Sequence, residues 1–189
     1  MTFKQQIPNL ISLVRIPLGI LFFILFSFQN SIAILTGTII IIISGLTDHL
    51  DGAIARKNKI FSSYGKIIDP FCDFIFFLFV FISFYLLNYI PLPIILIFLA
   101  RETIMYSVIR PLTAKKNLNT AAKLPGKIKT VFQFFTTITS CLLIIFNSEL
   151  SINLDLVTYI TVLFSLSVTI SFVSLYWYIK PILKNENRK

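Results

Sequence analysis

Acidic side chains are concentrated in one short stretch of an otherwise apolar chain. The sequence has eight Asp and Glu residues, and four of them are Asp48, Asp51, Asp69 and Asp73. Spacings of three and four residues place each pair on one face of its own helix, so two helices can offer four carboxylates to one point. Their mutual repulsion calls for bound cations, and oxygen-only ligands suit Mg²⁺ or Mn²⁺ rather than zinc. Two such ions about 4 Å apart stabilise displacement at phosphorus, so the pattern predicts phosphoryl chemistry.

Small residues and one arginine separate the two aspartate pairs. Gly52, Ala55 and Gly65 would let a ligand or another backbone approach the helices closely. Arg56 can pair with a phosphate group. The segment therefore predicts a notch that accepts a nucleotide diphosphate.

The elements that must position these residues are membrane helices. The mean hydropathy is +0.86, 56% of the residues are hydrophobic and 13% are charged, which is too apolar for one soluble core. A membrane span needs roughly 20 apolar residues. Stretches of that kind occur at 10–28, 32–55, 67–87, 92–112, 128–146 and 154–179. The sequence therefore predicts an all-α bundle of six transmembrane helices, forming one domain over residues 1–189.

The net charge of +9 is distributed unevenly between the connecting segments. Most Lys and Arg residues lie in 56–66, 110–129 and 180–189, whereas 29–31, 88–91 and 147–153 contain neither residue type. The positive-inside rule predicts that the basic segments, both termini and the aspartates face the cytoplasm, with the chain in the inner membrane. Because the basic residues are not interleaved with exposed aromatic residues, nucleic acid is not expected as a partner.

The segment 48–73 carries a longer pattern than the four aspartates alone. It matches D-x-x-D-G-x-x-A-R-x8-G-x3-D-x3-D at every specified position, and this is the signature of the CDP-alcohol phosphatidyltransferases. The flanking matches resemble the branch of that family that makes phosphatidylglycerophosphate, and they comprise 7–11, 100–102, 126–130, Arg15 and Gln133. Phe74 departs from that branch, which usually has Lys after the fourth aspartate. The resemblance implies a metal-dependent membrane enzyme and suggests a homodimer.

The resemblance also implies roles for individual residues at the donor lipid. The four aspartates would bind two Mg²⁺ or Mn²⁺ ions, and Asp73 would act as the general base toward the acceptor hydroxyl. The acceptor oxygen would then attack the β-phosphorus of CDP-diacylglycerol and expel CMP. The residues expected to contact the CDP-lipid are Asn9, Gly52, Ala55, Arg56, Ser62 and Gly65.

An acceptor such as sn-glycerol 3-phosphate carries its own phosphate, which requires cations near the metal ions. Arg110, Lys127 and Lys129 are the predicted ligands of this phosphate, and Arg101 is a further candidate. A charge within a span is costly unless it is paired or functional. A purely structural contact between Arg101 and Glu102 is therefore an alternative interpretation.

Other functions are compatible with parts of this pattern. The same chemistry could use phosphatidylglycerol, giving cardiolipin, or an inositol phosphate. A cation transporter would need its aspartates near the membrane midplane, and a catalytically silent scaffold would not need all four of them. The sequence favours an enzyme that makes phosphatidylglycerophosphate from CDP-diacylglycerol and glycerol 3-phosphate. Cys72 and Cys141 fall inside predicted helices without metal-site spacing, which indicates a packing role.

Overall fold

Helices make up nearly all of the chain that the structure describes. This computed structural model describes residues 12–57, 65–115 and 124–186. Its first three helices are α1 (Arg15–Ser27), α2 (Ser31–Lys57) and α3 (Gly65–Leu86). The helix α4 (Leu92–Ile104) continues through a π-helical segment (Met105–Ile109) into α5 (Arg110–Lys115), and α6 (Leu124–Glu149) and α7 (Leu156–Glu186) follow. These ranges contain no strand, so the predicted all-α fold is confirmed.

Turn and capping residues set the ends of these helices. The Asn30 side chain accepts a hydrogen bond from the Ala33 N–H at 2.7 Å and so caps α2. The Asp155 carboxylate accepts the Thr158 N–H at 3.2 Å before α7, and the hydrogen bonds from Thr158 lower the pKa of Asp155. Pro91 has extended dihedral angles and precedes α4. At the starts of α2 and α7, a local side chain thus satisfies one of the free N–H groups of the helix.

The helices pack in pairs that close into a ring. The contacts link α1 to α2, α2 to α6, α6 to α7, α7 to α4, α4 to α3 and α3 back to α1. Phenylalanines of α3 fill the space between these helices. Phe81 stacks on Phe98 of α4 with ring centroids 4.2 Å apart and contacts Phe164 of α7 at 4.8 Å, while Phe77 contacts Phe134 of α6 at 4.9 Å. These phenylalanine rings therefore pack the helices against one another.

Within the part of the chain that the structure describes, four helical segments are long and apolar enough to cross a membrane. They are Asp69–Leu86, Leu92–Thr113, Pro125–Glu149 and Leu156–Leu183, whereas the apolar parts of α1 and α2 are shorter, at Arg15–Ser27 and Ser31–Thr47. Exposed aromatic residues near the two ends of α7 match this arrangement. Tyr159 and Trp177 are separated by about 27 Å along the helix at 1.5 Å per residue, close to the thickness of a bilayer core of about 30 Å. Aromatic side chains favour both membrane interfaces, so these two residues are suited to the two edges of the apolar layer.

Candidate functional site

Polar side chains just before α1 and at its first residue contact the two aspartates of α3. Ser12 Oγ donates a hydrogen bond to Asp69 Oδ1 at 2.8 Å, and Arg15 Nη1 lies 2.5 Å from Asp73 Oδ1. The Arg15 side chain is 1% exposed and that of Asp73 is 23% exposed, so the arginine approaches from the buried side. The Arg15 side chain therefore faces the inside of the bundle. Asp69 and Asp73 present oxygen atoms one helical turn apart, with part of each residue accessible, which fits a hard divalent cation.

A glycine allows α1 to lie close enough to α3 for these contacts. A Cβ atom on Gly19 would lie 3.2 Å from the Phe76 Cα and 3.3 Å from the Phe79 ring, tighter than ordinary van der Waals contact. Gly19 is one turn beyond Arg15 on α1. A small residue at this position thus brings the Arg15 guanidinium within reach of the Asp73 carboxylate.

The other predicted donor residues are only partly covered by the structure. The backbone of α2 includes Asp48, Asp51, Gly52, Ala55 and Arg56, but their side chains lie outside the described part of the molecule. Asn9 and Ser62 fall outside the described residues altogether. Gly65 is the first residue of α3. The convergence of all four aspartates and the contacts to CDP therefore stay predictions.

A second charged cluster is buried between α4, α6 and α7. Glu102 Oε1 accepts a hydrogen bond from Arg101 Nη1 at 2.7 Å and another from Lys129 Nζ. Arg101 Nε also donates to the Ser171 carbonyl at 3.1 Å. The Glu102 side chain is 2% exposed and that of Lys129 is 15% exposed. Two cations thus share one carboxylate inside membrane-spanning segments, and the three side chains together carry one net positive charge.

The remaining two predicted phosphate ligands have different surroundings. The Arg110 guanidinium lies over the Tyr106 ring, with 4.9 Å from Cζ to the ring centroid. The Tyr106 hydroxyl in turn donates a hydrogen bond to the Pro70 carbonyl, between Asp69 and Asp73 in sequence. Lys127 is exposed near the start of α6. Of the predicted cations, Arg101 and Lys129 are therefore brought together by Glu102, and Arg110 is linked to the aspartate helix through Tyr106.

Three residues that make contacts in the site were not predicted from the sequence to belong to it. Ser12 holds Asp69, Tyr106 joins Pro70 to Arg110, and Glu102 was considered only as a structural partner of Arg101. Ser12 and Arg15 are three residues apart, which places them on one helix face and could have indicated a shared role. No such spacing distinguishes Tyr106 in the sequence, because aromatic residues are abundant throughout this chain.

Gly126 in the first turn of α6 lies against the Tyr178 side chain of α7. A Cβ atom there would be 2.7 Å from Tyr178 Oη and 3.5 Å from Cζ, and Tyr178 is buried beside Met105 and Ile109. Gly126→Ala should favour the helix by about 1 kcal/mol, but the clash with the hydroxyl is expected to offset this gain. The same substitution should stabilise a Tyr178→Phe variant. Thermal unfolding in detergent measures both effects, and equal shifts in the two backgrounds would contradict the close contact.

The fold and these clusters define a class of protein. The molecule is a helical membrane protein whose apolar bundle carries carboxylates and buried cations near the same ends of its helices. The two cysteines are buried free thiols, consistent with a packing role. Such an arrangement suits chemistry on a charged group that is attached to a lipid.

Comparison with known proteins narrows this class. The family model of CDP-alcohol phosphatidyltransferase matches residues 5–178. A CDP-diacylglycerol–glycerol-3-phosphate 3-phosphatidyltransferase of Rickettsia prowazekii is 32% identical over 138 residues, covering 71% of this chain and 74% of the relative. The protein of the same name from Mycoplasma pneumoniae is 26% identical over 164 residues, covering 77% and 72%. A cardiolipin synthase (CMP-forming) of Streptomyces coelicolor is 29% identical over 102 residues, covering 52% and 47%. The chain belongs to the CDP-alcohol phosphatidyltransferase family and is an integral membrane enzyme of this class.

Proposed function

We propose that this chain transfers the phosphatidyl group of CDP-diacylglycerol to a hydroxyl of sn-glycerol 3-phosphate, forming phosphatidylglycerophosphate and CMP. The proposal is supported by family membership and by relatives whose names state this reaction. The observation that favours a phosphorylated acceptor is the net positive Arg101–Glu102–Lys129 cluster. Arg110 adds a further cation on the continuous helical rod that α4, the π-helical segment and α5 form. A buried excess of positive charge is stabilised by an anion, and the phosphate of the acceptor provides one.

The donor side of the reaction uses the aspartates. Asp48, Asp51, Asp69 and Asp73 would hold two Mg²⁺ or Mn²⁺ ions. When bound, these ions neutralise the diphosphate and stabilise the departing CMP. Asp69 and Asp73 are oriented for this by Ser12 and Arg15. Asn9, Gly52, Ala55, Arg56, Ser62 and Gly65 would form the contacts to the CDP group.

The acceptor side begins with a proton transfer to Asp73. Its carboxylate takes the proton of the acceptor hydroxyl, and the oxygen forms a bond to the β-phosphorus of CDP-diacylglycerol. The bond from that phosphorus to the bridging oxygen breaks, and CMP leaves with the electron pair. Arg15 fixes the orientation of the Asp73 carboxylate for this step. Arg110, Lys127, Lys129 and Arg101 would hold the acceptor phosphate while the hydroxyl reacts.

The placement in the membrane follows the distribution of charge. We infer six spans, with α1 and α2 crossing the bilayer beside the four longer apolar segments. The basic connections would then lie in the cytoplasm with both termini, and the membrane would be the inner one. A homodimer is the proposed assembly. Cysteine labelling from each side of the membrane tests this topology.

The proposed reaction is tested by CMP release from CDP-diacylglycerol by the purified protein. We expect release with glycerol 3-phosphate, and little with phosphatidylglycerol or inositol 1-phosphate. Removing divalent metal with EDTA should abolish the release, and Mg²⁺ or Mn²⁺ should restore it. Preference for phosphatidylglycerol would instead support cardiolipin synthesis. If none of the three acceptors supports CMP release from a folded, metal-loaded preparation, the enzymatic proposal is overturned in favour of a transporter or scaffold.

A further inference from the structure

The rod formed by α4 and α5 contains one wide turn close to the site. The Arg110 N–H bonds to the Met105 carbonyl, five residues earlier, so the segment Met105–Ile109 is π-helical. An α-helix makes this bond over four residues, and single π-helical turns occur frequently at functional sites. The wide turn contains Tyr106 and ends where Arg110 begins the next helix.

Tyr106 contacts the aspartate helix with both its hydroxyl and its ring. The hydroxyl donates to the Pro70 carbonyl, one residue after Asp69 and three before Asp73. The ring centroid is 5.9 Å from that of Phe74, and it meets Phe71 edge-on at 6.0 Å. Tyr106 therefore contacts the turn of α3 that carries both aspartates through a hydrogen bond and through its ring, beside the contact of Phe98 with Phe74.

The hydrogen bond to Pro70 has a physical reason to persist. A hydroxyl inside an apolar bundle costs free energy unless it finds an acceptor. A helix carbonyl has two lone pairs and can accept the Tyr106 hydroxyl in addition to a backbone N–H. The aromatic rings around Tyr106 restrict its side chain, so the bond fixes the distance between the rod and the aspartate turn.

Besides its hydrogen bond to Pro70, Tyr106 also contacts Arg110. The guanidinium carbon lies 4.9 Å from the ring centroid, within the range of a cation–π interaction. A planar ring supports the flat guanidinium and limits its rotation, while the N–H groups at its edge can still reach an anion. Tyr106 therefore contacts both the turn that bears Asp73 and the cation proposed for the acceptor phosphate.

We propose that Tyr106 is a positioning residue that sets the distance between the Asp69–Asp73 turn and the Arg110 guanidinium. This inference rests on the proposed function, because it assigns the acceptor phosphate to Arg110. The two parts of the side chain have separable roles. The hydroxyl orients the aspartate turn and acts on the transfer step, whereas the ring orients Arg110 and acts on acceptor binding.

The test compares Tyr106→Phe with Tyr106→Leu in the CMP-release assay, with separate titrations of acceptor and CDP-diacylglycerol. Tyr106→Phe keeps the ring, so kcat should fall about three- to tenfold from loss of one buried hydrogen bond, with the acceptor KM within about twofold of wild type. Tyr106→Leu should in addition raise the acceptor KM about three- to thirtyfold through loss of the cation–π contact. Tyr159→Phe, on the exposed surface of α7, is the matched control and should leave both constants unchanged.

The positioning role of Tyr106 and the proposed function of the enzyme are tested by different results. If Tyr106→Phe and Tyr106→Leu have the same acceptor KM, or only reduce the active fraction of enzyme, the positioning role is wrong. If Arg110→Gln leaves the acceptor KM unchanged in an active enzyme, the link from the ring to acceptor binding is also wrong. The acceptor that supports the wild-type rate is used throughout. Preference for an acceptor other than glycerol 3-phosphate would overturn the proposed function, while the contrast between the Tyr106 variants still decides the positioning role.

Discussion

Replacing Asp73 with asparagine is expected to lower the rate of CMP release by about 10²- to 10⁴-fold, the range that a general base contributes. An amide cannot take the proton of the acceptor hydroxyl, although it keeps the shape of the side chain and can still accept a hydrogen bond from Arg15. Metal-dependent binding of CDP-diacylglycerol should remain largely intact, because three aspartates are unchanged. Steady-state CMP release and equilibrium lipid binding, measured on the same preparation, check the two parts of this result.

Two further variants separate catalysis from structure at Asp73. Asp155→Asn changes an exposed carboxylate that caps α7, and it should keep the wild-type rate. Asp73→Asn also weakens the contact with the buried Arg15 guanidinium, which can lower stability. The double variant Arg15→Met and Asp73→Asn should recover thermal stability without recovering activity. Loss of lipid binding as large as the loss of rate would argue against a base role for Asp73.

Replacing Glu102 with glutamine is expected to lower the free energy of unfolding by about 3 kcal/mol, since removal of one member of a buried ion cluster leaves its charges uncompensated. Arg101 and Lys129 would then face each other inside the bundle with no carboxylate between them. Unfolding in mixed detergent micelles, followed by circular dichroism, measures the loss. Glu149→Gln removes an exposed carboxylate near the end of α6 and should leave the stability unchanged.

A second substitution shows whether charge causes this loss. Combining Glu102→Gln with Lys129→Gln removes one of the two cations, while Arg101 keeps its bond to the Ser171 carbonyl. The double variant should therefore be more stable than Glu102→Gln alone. If Glu102→Gln is as stable as wild type, the cluster does not contribute through its charges, and if the double variant is less stable than the single one, repulsion is not the cause.

Much of the fold could be predicted because the bilayer imposes a simple length requirement on apolar helices. The predicted span 92–112 corresponds to the apolar segment Leu92–Thr113, and 67–87 to α3. The last helix was predicted to end at residue 179 but continues to Glu186. Hydropathy falls where Lys180 and its neighbours begin, while the backbone hydrogen bonds of a helix can continue into polar residues. The ring order of the helices could not be predicted, because it depends on how particular side chains pack.

The residue types of the site could be predicted from the sequence, whereas most of the contacts between these residues could not. The four-residue spacing of Asp69 and Asp73 correctly placed both on α3. The sharing of Glu102 by Arg101 and Lys129 could not be predicted, since Lys129 is 27 residues away and any buried carboxylate could have been its partner. The π-helical turn at Met105–Ile109 and the hydrogen bond from Tyr106 to the Pro70 carbonyl were likewise not predicted from the sequence.

The pairing of Arg15 with Asp73 has a consequence for how the protein is made. The two residues are 58 positions apart, so the ribosome delivers the arginine well before the aspartate. Inserting an arginine costs about 2.5 to 3.5 kcal/mol at the centre of a membrane helix, and less at its end, where Arg15 lies. The first helix therefore enters the translocon with a charge whose Asp73 partner has yet to be synthesised. This favours release of the first three helices into the lipid together rather than one at a time.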